Sequence, residues 1–198
     1  MERSDEALVV AHREGDSEAL AALITRYSLP LQGYLMRMTG NRTQAEDLFQ
    51  EVFLRVHRNA HSYRENYRFK TWLFQIATNA AIDHWRAGQR RPVLLSFHDP
   101  AAGSAAYTAE SEVPDPADAA ARSELREQVR AAVAALPDRQ RAAMVLTYFE
   151  GFTGREAAEV LQCSESSVKT HLSRALQALA QRLPNPDEST NEARSSTS

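Results

Sequence analysis

Cysteine occurs once in this chain, at Cys163, so neither an internal disulfide nor a cysteine-built metal cluster can form. No run of ~18 apolar residues exists, which excludes a membrane-spanning helix and direct membrane insertion. The opening residues, Met1-Glu2-Arg3-Ser4-Asp5-Glu6, are charged and lead into no apolar signal core, so a cytoplasmic location is expected. An excess of one charge is lacking too. The formal net charge is −3 and the pI about 6.1, whereas free-standing duplex binders usually lie above ~9. Serine, histidine and aspartate are present, but nowhere as a nucleophile–base constellation. No enzyme, catalytic residue, metal site or cofactor is expected.

What is there is helical. Residues 5–14 carry a helical pattern, and Asp16 or Ser17 can cap the next helix, with Ala19, Leu20, Leu23, Ile24 and Tyr27 as its apolar stripe. Pro30 removes a backbone donor and is expected to kink or break that helix. Leu31, Tyr34, Leu35 and Met38 resume the stripe, and Gly40-Asn41 ends it as a C-terminal glycine does.

The stretch from Asn41 to Arg91 is the most informative. Thr43 stands three residues before Glu46, the spacing of a capping box. Ala45, Leu48, Phe49, Val52, Phe53 and Val56 form one stripe, and Glu46, Asp47, Gln50 and Glu51 an acidic opposite face. A loop crowded with His61, Tyr63, Arg64, Tyr67, Arg68, Phe69 and Lys70 follows. Then comes a helix with Trp72, Leu73, Ile76, Ala77, Ala80 and Ala81 inward and Asn79, Asp83 and Arg86 outward. From Arg55 to Arg91, eight lysines and arginines face two acids, a net of +6. The loop aromatics admit two readings. They can stack on unpaired bases at ~1–3 kcal/mol each while the cations hold the backbone, or they can fold back as a lid on the helical core.

Pro92 to Asp118 carries five acids and no lysine or arginine. Its prolines, alanines and serines read as a flexible acidic linker over residues 92–121. Thirty such residues reach ~100 Å when stretched, about three DNA turns of ~34 Å. From composition alone, the acidity reads as serving solubility.

Helical periodicity returns at Arg122 with Leu125, Val129, Ala132, Val133 and Leu136. Pro137-Asp138 opens a helix with Ala142, Val145, Leu146 and Phe149 inward, closed by Gly151. Thr153 and Glu156 form a second capping box, opening a short helix with Ala157, Ala158, Val160 and Leu161. After a turn at Gln162-Cys163, Ser164 caps a helix whose inner stripe is Val168, Leu172, Ala175, Leu176, Leu179 and Leu183. This is helix-turn-helix spacing, with Ser166, Ser167, Lys169, Thr170, His171 and Arg174 on the second helix's outer face. Cys163 reads as packing within the turn. His171 has no second ligand at i±4 and reads as a phosphate or water contact. Residues 184–198 are polar and read as a disordered tail.

The segments Ala45–Phe53 and Thr71–Asn79, with the helix-turn-helix placed after them, resemble bacterial RNA polymerase sigma factors of the extracytoplasmic-function group. The resemblance covers roughly Ala19–Arg91 and Leu136–Leu183. It implies an all-α protein of two small helical domains: residues 1–91 (region 2), the linker, and residues 122–183 (region 4). It implies that Asp47, Leu48, Gln50 and Glu51 dock on the clamp of the core polymerase's largest subunit, while the flap of the second-largest is a further contact. The −10 element would be captured by Tyr63, Arg64, Tyr67, Phe69, Lys70, Asn79 and Asp83, with Arg86, Arg90 and Arg91 on upstream phosphates. The −35 element would be held by Arg155, Ser166, Ser167, Lys169, Thr170, His171 and Arg174. An anti-sigma factor, often membrane-anchored in this group, is a further expected partner, with the active protein at the nucleoid. The departure is Gln162, where the family has glycine; positive φ there costs on the order of 1 kcal/mol.

Two other functions remain open to the residues. One is a dimeric helix-turn-helix regulator with a symmetric operator footprint. The other is a helical adaptor whose aromatic loop binds protein.

Overall fold

Asp16 starts the longest helix by accepting hydrogen bonds from the backbone amides of Glu18 and Ala19, and Gly40 ends it at φ 67°. The computed structural model describes residues 3–90 and 116–183, and among these all regular structure is helical. The order is α1 (Asp5–Arg13), α2 (Ser17–Thr39), α3 (Arg42–Asn59), α4 (Phe69–Arg90), α5 (Pro116–Ala134), α6 (Asp138–Met144), α7 (Gly154–Leu161) and α8 (Glu165–Ala180). A wide π turn, Val145–Phe149, continues α6. None of the described helices is long and apolar enough to cross a membrane.

The first domain packs α2 against α1, α3 and α4. Leu23, Leu31, Tyr34, Leu35, Val52, Leu73 and Phe74 are fully buried there. Pro30 does not break α2, which runs continuously from Ser17 to Thr39. The proline lies on the exposed face, and the buried side on both flanks of it holds the helix together. The capping box expected at Thr43 is displaced: Asn41 is the cap, accepting from the amide of Gln44, and Glu46 pairs with Arg42 at 2.8 Å. Asparagine at the cap outcompetes threonine two residues inside the first turn.

The second domain packs α6, α7 and α8 together. Its Thr153–Glu156 capping box is complete, and the Ser164 hydroxyl accepts from the amide of Ser167. Three residues expected inward, Leu125, Phe149 and Leu176, are about half exposed. Helix α5 begins at Pro116 rather than Arg122, so the last six residues expected in the linker are helical. The rest of that linker, and the tail, lie outside the described residues.

Gln162 adopts φ 51° and ψ 48°, the only positive φ outside glycine among the described residues. The side chain is exposed, so glycine would lose only strain. Gln162→Gly is expected to stabilise the protein by about 0.5–1 kcal/mol, relief of left-handed strain less glycine's own entropy. Denaturant melts at constant m-value test this; a destabilised variant would mean that the glutamine is held by contacts worth more than the strain.

The two domains share one continuous core. Helix α7 packs on α4, and α2 touches α5, α6 and the π turn. At the seam, Arg141 is 1% exposed, and its guanidinium donates to the carbonyls of Met38, Ala134 and Leu136. The same group sits 4.9 Å from the Trp85 ring centroid.

Candidate polymerase and promoter interfaces

Asp47, Gln50 and Glu51 lie outside the core on α3, with Glu51 half-buried and bonded to Arg55 at 2.8 Å. That hydrogen bond holds the Glu51 carboxyl below its ordinary pKa, so the face stays anionic. Leu48 is not part of this face: it is 6% exposed and belongs to the core. Leu54 takes its place, 48% exposed. Positions 47, 50, 51 and 54 follow the i, i+3, i+4, i+7 spacing of one helix side, and that spacing was the available signal for Leu54.

The aromatic loop divides. Phe69 is fully buried against Tyr27, their centroids 5.4 Å apart, and its amide donates to Glu6 at 3.1 Å. Tyr63 is 4% exposed, stacks at 5.1 Å from Trp72, and donates its hydroxyl to the carbonyl of Tyr67. For these two the lid reading holds, and the expectation that their rings face solvent is corrected. A ring gains more from burial in the core than from a place in water, and the neighbouring helices α1 and α4 supply that core. Tyr67, 49% exposed, and Arg64 remain outside, with Trp72 half-buried beside them. Together with Tyr63, Gln75, Glu159 and Gln162 they line an open cleft of about 340 Å³. Asn79, Asp83 and Arg86 are exposed at steps of four and three along α4, continuing the line from Trp72 and Gln75. The side chain of Arg90, and Arg91 entirely, lie outside the described residues.

Lys70 is only partly exposed. It donates to the carbonyl of Glu150 at 3.1 Å and sits 4.5 Å from the Phe152 ring centroid, so it faces the second domain.

On α8, Ser166, Lys169, Thr170 and Arg174 are exposed on one side. The hydroxyls of Ser166 and Ser167 each lie 2.8 Å from that of Ser164, and Thr170 donates back to the Ser166 carbonyl. Lys169 pairs loosely with Glu165 at 3.6 Å, and Arg155 on α7 with Glu159 at 3.7 Å. Both pairs are surface contacts of small energy that a phosphate can replace. His171 differs from expectation: it is half-buried, and its Nδ1 is enclosed without a hydrogen-bond partner. Burial lowers its pKa, and Arg139 and Arg174 add to the effect, which disfavours the imidazolium. Cys163 packs partly buried against the core, as expected for a turn residue.

The described residues hold no group of three side chains able to bind a metal. The fold and these faces define a two-domain helical protein with a helix-turn-helix at its C-terminal end. The Sigma-70 region 2 model matches residues 23–91, and the Sigma-70 region 4 model residues 126–179. The chain is 33% identical over 175 residues to the ECF RNA polymerase sigma factor SigW of Bacillus subtilis, covering 86% of this chain and 92% of SigW. Its structure is similar to that of CnrH in complex with the cytosolic domain of CnrY, with a TM-score of 0.65, 23% identity, and coverage of 90% of this chain and 96% of that one. It is also similar to the sigma factor RpoE in complex with the anti-sigma factor NepR from Bartonella quintana, with a TM-score of 0.59, 20% identity, and coverage of 81% and 94%. This chain therefore belongs to the sigma-70 family, in its extracytoplasmic-function group, and is an RNA polymerase sigma factor for transcription initiation. Proteins of this kind are initiation factors rather than enzymes. The matches overturn the alternative of a dimeric operator-binding regulator, because both regions and the relatives are those of sigma factors.

Proposed function

We propose that the chain engages core polymerase through Asp47, Gln50, Glu51 and Leu54 on α3, a face that suits the basic clamp of the largest subunit. Acidic side chains around one exposed leucine give charge complementarity with an apolar centre. The second domain then contacts the flap of the second-largest subunit. Arg64 and Tyr67 with Trp72, Asn79 and Asp83 capture non-template bases of the −10 element. Lys70, Arg86, Arg90 and Arg91 hold adjoining phosphates. Flipping a base costs a few kcal/mol, which stacking and edge contacts repay. Tyr63 and Phe69 support this loop from inside. The −35 duplex meets Arg155, Ser166, Ser167, Lys169, Thr170 and Arg174, with half-buried His171 beside them.

The observation that carries this assignment is that polar and charged side chains line one side each of α3, α4 and α8, outside the buried core. The domains span residues 1–91 and 122–183, with α5 extending back to Pro116 as the end of the linker. An anti-sigma factor is a further partner, as NepR is of the sigma factor RpoE with which it is in complex. The protein works in the cytoplasm, at the nucleoid once released.

Run-off transcription with core polymerase on a random promoter library tests the assignment. Initiation at a new class of sites is expected only when the protein is added. On a promoter so selected, Asn79→Ala should slow opening about tenfold, one base contact at ~1–3 kcal/mol. Its effect on closed-complex binding should be small, and Arg174→Ala should show the reverse. Equal losses at both steps would refute the division of labour.

A further inference from the structure

Helix α4 starts at Phe69, directly after Arg68, whose side chain carries donors only and cannot cap a helix start. An acceptor arrives instead from α1. The half-buried carboxylate of Glu6 takes the Phe69 amide at 3.1 Å, where the helix dipole also favours a negative charge. The same helix holds the aromatic loop at two further points. Arg13 reaches Glu65 at 3.2 Å, and Nε2 of His12 lies 3.0 Å from Nδ1 of His57 in the last turn of α3. Asp5 accepts from the hydroxyl of Tyr27 at 2.5 Å, and Phe69 packs on that tyrosine's ring. Helix α1 is thus fastened to the end of α3, to the loop and to the start of α4. It also precedes the residues matched to region 2, which begin at 23.

We propose that α1 sets the aim of the strand-capturing loop, with Glu6 as the positioning residue that fixes where α4 begins. Tyr67 and Arg68 immediately precede the tied amide, and Trp72 follows it within one turn. A shift at Phe69 therefore moves both rings that line the cleft with Arg64. Tyr63 carries the same constraint back along the loop, since its hydroxyl donates to the carbonyl of Tyr67. Glu6 itself meets no base. It lines a different cleft, with Val10, Glu14 and Glu65, and acts only through the backbone it holds. A site that takes a flipped base works only if its supporting groups hold it in place beforehand. The outer pair Arg13–Glu65 is a surface contact of small energy, so the half-buried Glu6 bond carries most of this hold. This inference rests on the reading of Arg64, Tyr67 and Trp72 as the strand-binding surface.

Full-length variants assembled with core polymerase on a library-selected promoter test this, with opening followed by permanganate reactivity of unpaired thymines. Glu6→Ala should slow opening about fivefold, the equivalent of ~1 kcal/mol for one lost cap at tenfold per 1.4 kcal/mol. Closed-complex affinity should hardly change. Glu6→Gln keeps an acceptor oxygen at the same reach and should restore opening. Glu6→Asp keeps the charge but is shorter by one methylene, and should open as slowly as the alanine variant. The Phe69 amide proton should move upfield in the alanine and aspartate variants and stay in place with glutamine. If alanine misfolds, seen by circular dichroism, aspartate decides. A merely structural role would weaken binding and opening together, with no such order among the variants. Wild-type opening rates with alanine and aspartate, equal losses at both steps, or a glutamine variant as slow as alanine would overturn the positioning role. Tyr67→Ala separates the two ideas. If it opens normally while Glu6→Ala is slow, the positioning role stands and the assignment of the loop to the −10 strand fails.

Discussion

Arg141→Ala is expected to lower the midpoint of thermal unfolding by about 10 °C, from ~3–5 kcal/mol of lost stability at ~2–4 °C per kcal/mol. The guanidinium is almost wholly enclosed and donates to three carbonyls, those of Met38 near the end of α2 and of Ala134 and Leu136 at the end of α5. Helix C-termini leave such carbonyls without intrahelical partners. Alanine would bury all three unsatisfied, strip the cation from the face of Trp85 and leave a cavity. Arg141→Lys should recover less than half of the loss, because one ammonium cannot reproduce a planar fork reaching two helix ends. Calorimetry on both variants measures this. An alanine variant that melts within about 2 °C of wild type would show that water satisfies those carbonyls equally well.

Alanine at both Lys169 and Arg174 should abolish −35 recognition while leaving the fold intact. Each contact is worth ~1–3 kcal/mol. Their joint loss is therefore roughly a hundredfold or more in promoter affinity, at tenfold per 1.4 kcal/mol. Both side chains are exposed on α8, and Lys169 makes only a loose pair with Glu165. Surface truncations of this kind change stability within about 0.5 kcal/mol. If both contacts are to phosphates, the slope of log affinity against log salt should fall by about 2. Fluorescence anisotropy with holoenzyme on a library-selected promoter measures both quantities. Undiminished binding by the double variant, with a normal melt, would remove α8 from the −35 interface.

Local signals in the sequence were mostly sound where the cause is local, the exception being Thr43, which Asn41 displaces as the cap. Asp16, Gly40, the Thr153–Glu156 box and Ser164 all do what their side chains allow within one turn of chain. Gln162 takes the left-handed conformation that the turn demands, whatever residue fills it. Errors arose where a distant segment decides. Pro30 stays within α2 because helices remote in sequence clamp the other side. Tyr63 and Phe69 turn inward because α1, Tyr27 and Trp72 wait for them. Leu48 stays in the core and Leu54 is exposed, because a stripe read at steps of three and four does not say which edge meets solvent. Arg141 left no trace at all, since a charged residue in a helix reads as a solvated face until carbonyls from two other helix ends converge on it.

The amino-acid sequence by itself determined most of the helices and caps, the order of the two domains and the family, because periodicity and capping are properties of neighbouring residues. Only the tertiary structure decided which aromatic rings lie buried, which leucine of α3 is exposed, and that the two domains meet across Glu150. Those outcomes depend on which surfaces exclude water together, and no stretch of chain carries that information alone.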